Sequence, residues 1–257
     1  MDAMSGRLTV VGLGPGSAGQ LTPDASVALE AADVVFGYGP YLERVPNRVG
    51  QRRQRSDNRE EIDRANRALA EAAEGAHVAV VSGGDPGVFA MAAAICEAIE
   101  CGPGEWRELD VAIVPGITSM LAVAARVGAP LGHDFCALSL SDNLKPWSVV
   151  EQRLKAAASA GFAIALYNPV SRSRPWQLDR AFELLRTHLP SSTPVVFGRA
   201  VGRADERVRV ADLATASGSD ADMSTCIIVG SAETRLIERP NRAALVYTPR
   251  SARAAST

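Results

Sequence analysis

The feature that most constrains this chain is a repeated order of a short apolar run, a glycine-rich turn and a helical pattern. Apolar runs at 8–13, 77–81 and 110–114 each end in such a turn, and a helical pattern follows each turn. Parallel strands need a long crossover connection, usually a helix, so this order predicts a parallel sheet with helices on its faces. The first half of the chain is therefore predicted to be an α/β unit.

The second half of the chain has a different spacing. Strands are predicted at 162–167, 194–197, 207–210 and 226–229, and helices at 146–160 and 175–188. The last three strands follow one another without a full helix between them, which favours antiparallel or mixed pairing. We therefore expect two α/β lobes, 1–118 with a mainly parallel sheet and 119–257 with a mixed sheet.

Composition narrows the function classes. The 257 residues are 47% hydrophobic, which suffices for one large or two modest cores, and the net charge of −2 disfavours nucleic acid as a partner. No apolar run approaches the ~20 residues of a membrane span, and the first residues do not resemble a signal peptide. The cysteines are Cys96, Cys101, Cys136 and Cys226. Their spacing is not that of a metal site, so we expect a cytoplasmic protein with reduced thiols and no metal.

The first glycine cluster contains Gly12, Gly14 and Gly16. It suggests a dinucleotide-binding fingerprint, but that fingerprint requires a helix that begins inside the motif and meets the pyrophosphate. Pro15 occupies a position where a helix-opening amide should be free, and the helix signal comes only at Thr22. These residues disfavour a nicotinamide enzyme.

Two further loops each follow a predicted strand and precede a helix. The second loop, 82–87, contains Gly83, Gly84 and Asp85, and the third loop, 114–119, ends in Thr118 and Ser119. The carboxyl ends of parallel strands are the usual ligand positions in α/β proteins. A simple turn with Asp85 as a helix N-cap, and a simple hydroxyl cap in the third loop, explain the same residues. Both explanations stay open at this point.

Three sequence pieces carry a resemblance to a known family. The pieces are GLGPG from Gly12, SGGDPGVFAMA from Ser82 and VPGITS from Val114. Taken in this order they resemble the tetrapyrrole methyltransferase superfamily, and the similarity covers nearly the whole chain. Within the superfamily, 138–147 and 165–174 resemble the branch that methylates precorrin-3B at C17. Lys145 replaces the threonine usual in that branch, and Ser-Ala instead of Gly-Tyr follows 248–250.

The resemblance implies a two-lobed α/β tetrapyrrole methyltransferase-like fold, a homodimer, and S-adenosyl-L-methionine held in a cleft between the lobes. It implies methylation at C17 with loss of one ring carbon as an acetyl group, which gives precorrin-4 in cobalamin biosynthesis. The cofactor contacts that it implies are Pro15, Gly83, Gly84, Asp85, Val88, Thr118, Ser119, Asn168, Ala200 and Thr225.

A tetrapyrrole substrate carries acetate and propionate groups, which arginine binds through paired hydrogen bonds. Arg172 and Arg174 follow the strand predicted at 162–167 and are predicted to bind the substrate. Arg53 is a third candidate, in a polar stretch at 44–55 that contains five arginines. A solvated loop explains that stretch equally well.

Ring contraction requires proton transfer, and the candidate acid/base residues are Asp142, His133 and Tyr41. His133 lies in a Gly-His-Asp turn, where a hydrogen bond to the backbone is the simpler explanation. Other functions stay open: methylation at C11 or C20 of the ring, methylation of protein or ribosomal RNA, a binding module without catalysis, or a dehydrogenase. The near-neutral charge disfavours RNA.

Overall fold

The computed structural model describes residues 6–57, 60–171 and 173–251. The chain divides into two compact units, Met1–Ser119 (unit 1) and Met120–Thr257 (unit 2). The sheets and the apolar core clusters of the two units are separate, so each unit is described by itself.

Unit 1 alternates strands and helices, as the apolar pattern predicts. Its elements are β1 (Arg7–Gly12), a 3-10 turn (Ala18–Gln20), α1 (Pro23–Ala31), β2 (Val34–Tyr38), α2 (Gly39–Leu42), β3 (Arg52–Ser56), α3 (Glu61–Ala73), β4 (His77–Ser82), α4 (Met91–Cys101), a second 3-10 turn (Gly104–Glu108) and β5 (Asp110–Val114). Among the described residues the strands form one five-stranded sheet in the order β3-β2-β4-β1-β5. Every pairing in it is parallel, so the predicted parallel sheet is confirmed.

The interior strand β1 is buried on both faces. Leu8 and Val10 belong to the core cluster with α3 and α4, whereas Val11 and Leu13 belong to the cluster with α1. Burial on both faces explains why β1 is a continuous apolar run instead of an alternating one. The helix α1 begins where its cap predicts, because the Thr22 hydroxyl accepts a hydrogen bond from the Ala25 N–H at 3.2 Å.

The stretch at 44–55, predicted to be polar and turn-rich, contains a strand instead. Arg52–Ser56 forms β3, which pairs in parallel with β2 at the edge of the sheet. An edge strand can keep polar side chains in contact with water on one side, so its sequence need not show an apolar alternation. The interpretation of this stretch as a solvated loop is therefore wrong for Arg52–Ser56.

Unit 2 combines parallel and antiparallel pairing. Its elements are α5 (Ser119–Val127, beginning at the last residue of unit 1), β6 (Gly128–Ala129), β7 (Phe135–Ser139), α6 (Trp147–Ser159), β8 (Ala163–Tyr167), α7 (Gln177–Arg186), β9 (Pro194–Arg199), β10 (Arg207–Asp212), a 3-10 turn (Gly218–Asp220), β11 (Thr225–Val229), β12 (Arg235–Arg239) and β13 (Arg242–Tyr247). The main sheet has the order β10-β9-β11-β8-β7, in which β7 and β8 are parallel and the other neighbours are antiparallel. The predicted mixed sheet is confirmed.

A second, smaller sheet of unit 2 was not predicted. It has the order β12-β13-β6, and β12 pairs with β13 as an antiparallel hairpin. The main core of unit 2 lies on the α6 and α7 side of the larger sheet, where Leu154 and Phe182 pack with Leu166. No helix within the described ranges is both long and apolar enough to cross a membrane.

Candidate active site

Three loops of unit 1 meet at the carboxyl edge of its sheet. They follow β1, β4 and β5, and these strands are neighbours in the order β4-β1-β5 although they are distant in sequence. Gly14 and Gly84 exchange two backbone hydrogen bonds: the Gly14 N–H donates to the Gly84 carbonyl at 3.1 Å, and the Gly84 N–H donates to the Gly14 carbonyl at 2.9 Å. The first and second loops are therefore joined through their backbones.

Glycine makes this close approach of the loops possible. A Cβ atom at Gly12 would lie 2.6 Å from the Gly116 nitrogen, and a Cβ atom at Gly116 would lie 2.3 Å from the Gly84 carbonyl oxygen. Both distances are shorter than atomic contact allows, and in each case the obstructing atom belongs to backbone. Side chains at these two positions would force the loops apart.

The Asp85 carboxylate connects the second loop to the third. One oxygen, Oδ1, accepts the Gly87 N–H at 2.8 Å, and the other, Oδ2, accepts the Gly116 N–H at 3.0 Å. The N-cap explanation is wrong, because α4 begins at Met91 and its N-cap is Ala90. A carboxylate has about four acceptor sites, so Asp85 can hold both amides and still accept a hydrogen bond from a ligand.

The remaining predicted cofactor contacts of unit 1 lie on the same three loops. Pro15 is buried, and it follows Gly14 in the first loop. Thr118 is buried with its Cα 3.6 Å from the Cβ position of Gly84, and the half-buried Ser119 begins α5. Val88 is also half-buried and donates its N–H to the Asp85 carbonyl at 3.3 Å.

Two residues from the α2 segment pack against these loops. The Tyr41 ring lies beside Gly83, with its Cε1 atom 2.7 Å from where a Cβ atom of that glycine would stand. Arg44 donates from Nη2 to the carbonyls of Leu13 and Gly14, each at 2.7 Å. Tyr41 was predicted from the sequence, whereas Arg44 was not chosen among its neighbouring arginines. Only the tertiary structure reveals which carbonyls Arg44 holds.

Arg53 makes contacts that differ from its predicted role. Its guanidinium donates to the carbonyls of Leu42, Val45 and Pro46 at 3.0, 2.8 and 2.6 Å. All three acceptors are backbone groups in and just after α2, so Arg53 holds this segment against β3. This geometry gives no support to Arg53 as a substrate contact.

In unit 2, the predicted cofactor contacts lie at one edge of the main sheet. Asn168 follows β8, Ala200 follows β9, and Thr225 begins β11 opposite the end of β9. Asn168 and Ala200 have left-handed backbone conformations, with φ of 52° and 48°. Such conformations are costly for residues other than glycine and cluster at functional sites. The structure thus brings these three residues to the same edge.

At that edge Arg174 and Asp142 form an ion pair. Arg174 Nη1 lies 3.3 Å from Asp142 Oδ1, and Arg174 also donates to the hydroxyls of Ser141 and Ser171. The buried Gln177 donates from Nε2 to the other oxygen of Asp142 at 3.3 Å. A carboxylate held in this way is suited to fixing the orientation of Arg174. Arg172, the other predicted substrate contact, lies outside the described residues.

His133 lies at the opposite end of β7 from Asp142. It precedes Phe135–Ser139, and a strand of that length separates its two ends by about 13 Å. The Nδ1 atom of His133 accepts the Asp134 N–H at 2.7 Å, which is the backbone contact that its turn suggested. The structure therefore does not bring His133 and Asp142 together as an acid/base pair.

The thiols and possible metal ligands form no further site in the described residues. Burial raises the pKa of the Cys226 thiol to about 12, so this group stays protonated and unreactive at neutral pH. Within the described ranges, no group of three His, Cys, Asp or Glu side chains is placed to hold a metal ion.

Residues 7–217 match the family model described as Tetrapyrrole (Corrin/Porphyrin) Methylases, and the chain belongs to this family. Among curated proteins it is similar to a precorrin-3B C(17)-methyltransferase of Sinorhizobium sp. The two are 63% identical over 247 residues, which cover 96% of this chain and 97% of the relative.

Solved structures agree with this assignment. The methyltransferase CobJ superposes with a TM-score of 0.91 at 48% identity, over 95% of this chain and 100% of that chain. A uroporphyrin-III C-methyltransferase of Thermus thermophilus, complexed with S-adenosylhomocysteine, superposes with a TM-score of 0.67 at 25% identity. That match covers 88% of this chain and 98% of the other.

We expect Asp85→Asn to destabilise unit 1. An asparagine side chain has a single acceptor oxygen, so one of the two backbone amides that Asp85 satisfies loses its partner. The free energy of unfolding should fall by about 1–3 kcal/mol, as measured by urea denaturation without ligand. Asp24→Asn is the matched control, since Asp24 is exposed and its side chain makes no hydrogen bond among the described residues. Equal stability of the two variants would contradict the role of Asp85 as a link between loops.

Proposed function

We propose that this chain transfers a methyl group from S-adenosyl-L-methionine to C17 of precorrin-3B and contracts the ring to give precorrin-4, in cobalamin biosynthesis. The observation that carries the proposal is the 63% identity, over nearly all of both chains, to the relative named for methylation at C17. The sequence stretches 138–147 and 165–174, which resemble the same branch, support it independently of the glycine loops.

The loops of unit 1 fit S-adenosyl-L-methionine chemically. The cofactor carries an ammonium group, a carboxylate and ribose hydroxyls. These loops combine the Asp85 carboxylate and the Thr118 and Ser119 hydroxyls with a glycine backbone that a ligand can approach closely. When bound, the cofactor supplies a methyl group on a sulfonium. The contacts that we propose are Pro15, Gly83, Gly84, Asp85, Val88, Thr118, Ser119, Asn168, Ala200 and Thr225.

In methyl transfer, the main role of the protein is to position the reacting atoms. The substrate carbon must lie in line with the methyl group, in a site from which water is excluded. We propose that Arg174 binds a peripheral carboxylate of the tetrapyrrole and that Asp142 holds Arg174 in the orientation this requires. Asp142 then acts as a positioning residue, because its two oxygens already bond Arg174 and Gln177.

Ring contraction also needs a group that moves a proton. Of the three candidates, Tyr41 is the one that belongs to unit 1 and packs against its glycine loops, whereas His133 and Asp142 belong to unit 2. We propose Tyr41 as the acid/base residue, since its hydroxyl lies 3.0 Å from the Cβ position of Gly83, beside the loop assigned to the cofactor. A tyrosine hydroxyl can both donate and accept a hydrogen bond, as proton transfer requires.

We further propose that the chain works in the cytoplasm as a homodimer, without nucleic acid or membrane partners. The cysteines at 96, 101, 136 and 226 are all free, which is typical of a reducing compartment. The edge strand β12 exposes Leu236 and Ile237, a surface that a second copy can cover.

Equilibrium sedimentation should give twice the 27.0 kDa mass of the chain. A monomer at micromolar concentration would contradict the dimer.

The product identifies the reaction. The experiment incubates the pure protein with precorrin-3B, or its cobalt-containing counterpart, and labelled S-adenosylmethionine. Mass spectrometry should show one added methyl group, and carbon NMR should place it at C17 and show the extruded ring carbon in an acetyl group. A methyl group at C11 or C20 without contraction would contradict the proposed position while keeping the substrate class. Transfer to protein or ribosomal RNA instead would contradict the substrate class.

We expect Asp142→Asn to weaken substrate binding more than catalysis. The variant keeps a side chain of similar size but loses the ion pair that orients Arg174, so KM for precorrin-3B should rise about tenfold, with kcat within a factor of about two. The matched control is Glu183→Gln, an exposed carboxylate that also pairs with an arginine, Arg180. A general acid or base contributes about 10²–10⁴-fold to the rate. A loss of kcat on that scale would therefore assign Asp142 to catalysis.

A further inference from the structure

Trp176 is a large aromatic side chain that remains exposed at the carboxyl edge of the main sheet of unit 2. It lies between β8 and α7, two residues after Arg174, and 46% of its surface is accessible. The apolar core of unit 2 includes Trp147 as a packed neighbour, whereas Trp176 lies outside that core. Nearly half of this side chain is therefore apolar surface in contact with water, which a flat apolar ligand can cover.

The exposed ring is nevertheless held in a fixed position. Trp176 packs edge-to-face on Trp147, with ring centroids 4.9 Å apart and an angle of 73° between the planes. Trp147 follows the loop after β7, and Trp176 follows the loop after β8. The ion pair between Asp142 and Arg174 joins the same two loops. Two independent contacts therefore make this part of the edge rigid, and a preorganised surface binds with a smaller loss of entropy.

Arg174 adds a directed charge next to this aromatic surface. Its Nε and Nη1 atoms bond Ser171, Ser141 and Asp142, whereas Nη2 makes no hydrogen bond within the part of the chain that the structure describes. The Arg174 side chain is 18% exposed, so these partners cover most of it while part of it stays in contact with water. On the loop that contains Asp142, Leu144 is 94% exposed and adds apolar surface.

We infer that Trp176 forms a platform for one face of the tetrapyrrole macrocycle, while Arg174 Nη2 donates to a carboxylate on its periphery. This assignment rests on the proposed function, since it specifies how the substrate of that reaction is held. An extended conjugated ring with acidic side groups matches an aromatic face beside a guanidinium in both shape and charge. A second protein chain is a poorer match, because it would have to supply both a flat apolar face for Trp176 and a further carboxylate for Arg174 Nη2.

The test measures binding of precorrin-3B without turnover, by ultrafiltration in the presence of S-adenosylhomocysteine. Trp176→Ala should raise the Kd for precorrin-3B about tenfold, and Trp176→Phe, which keeps an aromatic face, should raise it about twofold. The affinity for S-adenosylhomocysteine should stay unchanged in both variants, which also shows that they are folded. Phe135→Ala is the matched control, because Phe135 is 41% exposed at the opposite end of β7 and should leave both affinities as they are.

The outcomes separate this inference from the proposed function. If Trp176→Ala binds precorrin-3B like the wild type while the wild type makes the contracted product, the platform is overturned and the function stands. If the wild type neither binds nor converts precorrin-3B, the proposed function fails and the platform fails with it. If Trp176→Ala changes the sedimenting mass but not the Kd, Trp176 belongs to an interface between copies of the chain, which also overturns the inference.

Discussion

The candidate site of unit 1 depends on the contact of three backbones with no side chain between them. Gly12, Gly84 and Gly116 stand where the loops after β1, β4 and β5 touch, and a single methyl group at Gly12 or Gly116 would overlap a backbone atom. This contact allows the Asp85 carboxylate to reach the Gly116 amide and Arg44 to reach the carbonyls of the first loop. The loops thus reach one another because glycine removes the side chains, and the polar contacts then fix their positions.

In unit 2, the loops at the carboxyl edge of the main sheet are held in place by a different kind of contact. Where unit 1 uses glycine, unit 2 uses side chains that bond one another: Arg174 with Asp142, and Asn168 with the Ser139 hydroxyl at 3.0 Å. The left-handed conformations of Asn168 and Ala200 show that backbone strain is accepted there. In each unit the polar contacts are internal, so the geometry of each edge is set before any ligand binds.

The sequence predicts those strands and helices whose apolar pattern can be recognised from neighbouring residues alone. Strand β5 was predicted with its observed bounds, because a short apolar run flanked by turns gives a clear pattern even at the edge of a sheet. Strands β3 and β12 were missed, since both are edge strands rich in polar side chains. The three glycine loops were predicted as ligand positions, but the roles of Arg53 and Asp142 could not be, because each depends on partners that only the tertiary structure brings near.

The strand order of unit 1 also bears on how the chain can fold during its synthesis. Strand β1 is made first, yet its partners in the sheet are β4 and β5, which begin at His77 and Asp110. Until those residues leave the ribosome, an apolar strand has neither neighbour available and exposes two unpaired edges. The nascent chain must therefore keep its first strand from pairing elsewhere while about a hundred further residues are added, a time of the order of 5–20 s at the usual rates of synthesis. The arrangement that puts the first glycine loop between the other two thus makes the candidate site one of the last parts of unit 1 that can form.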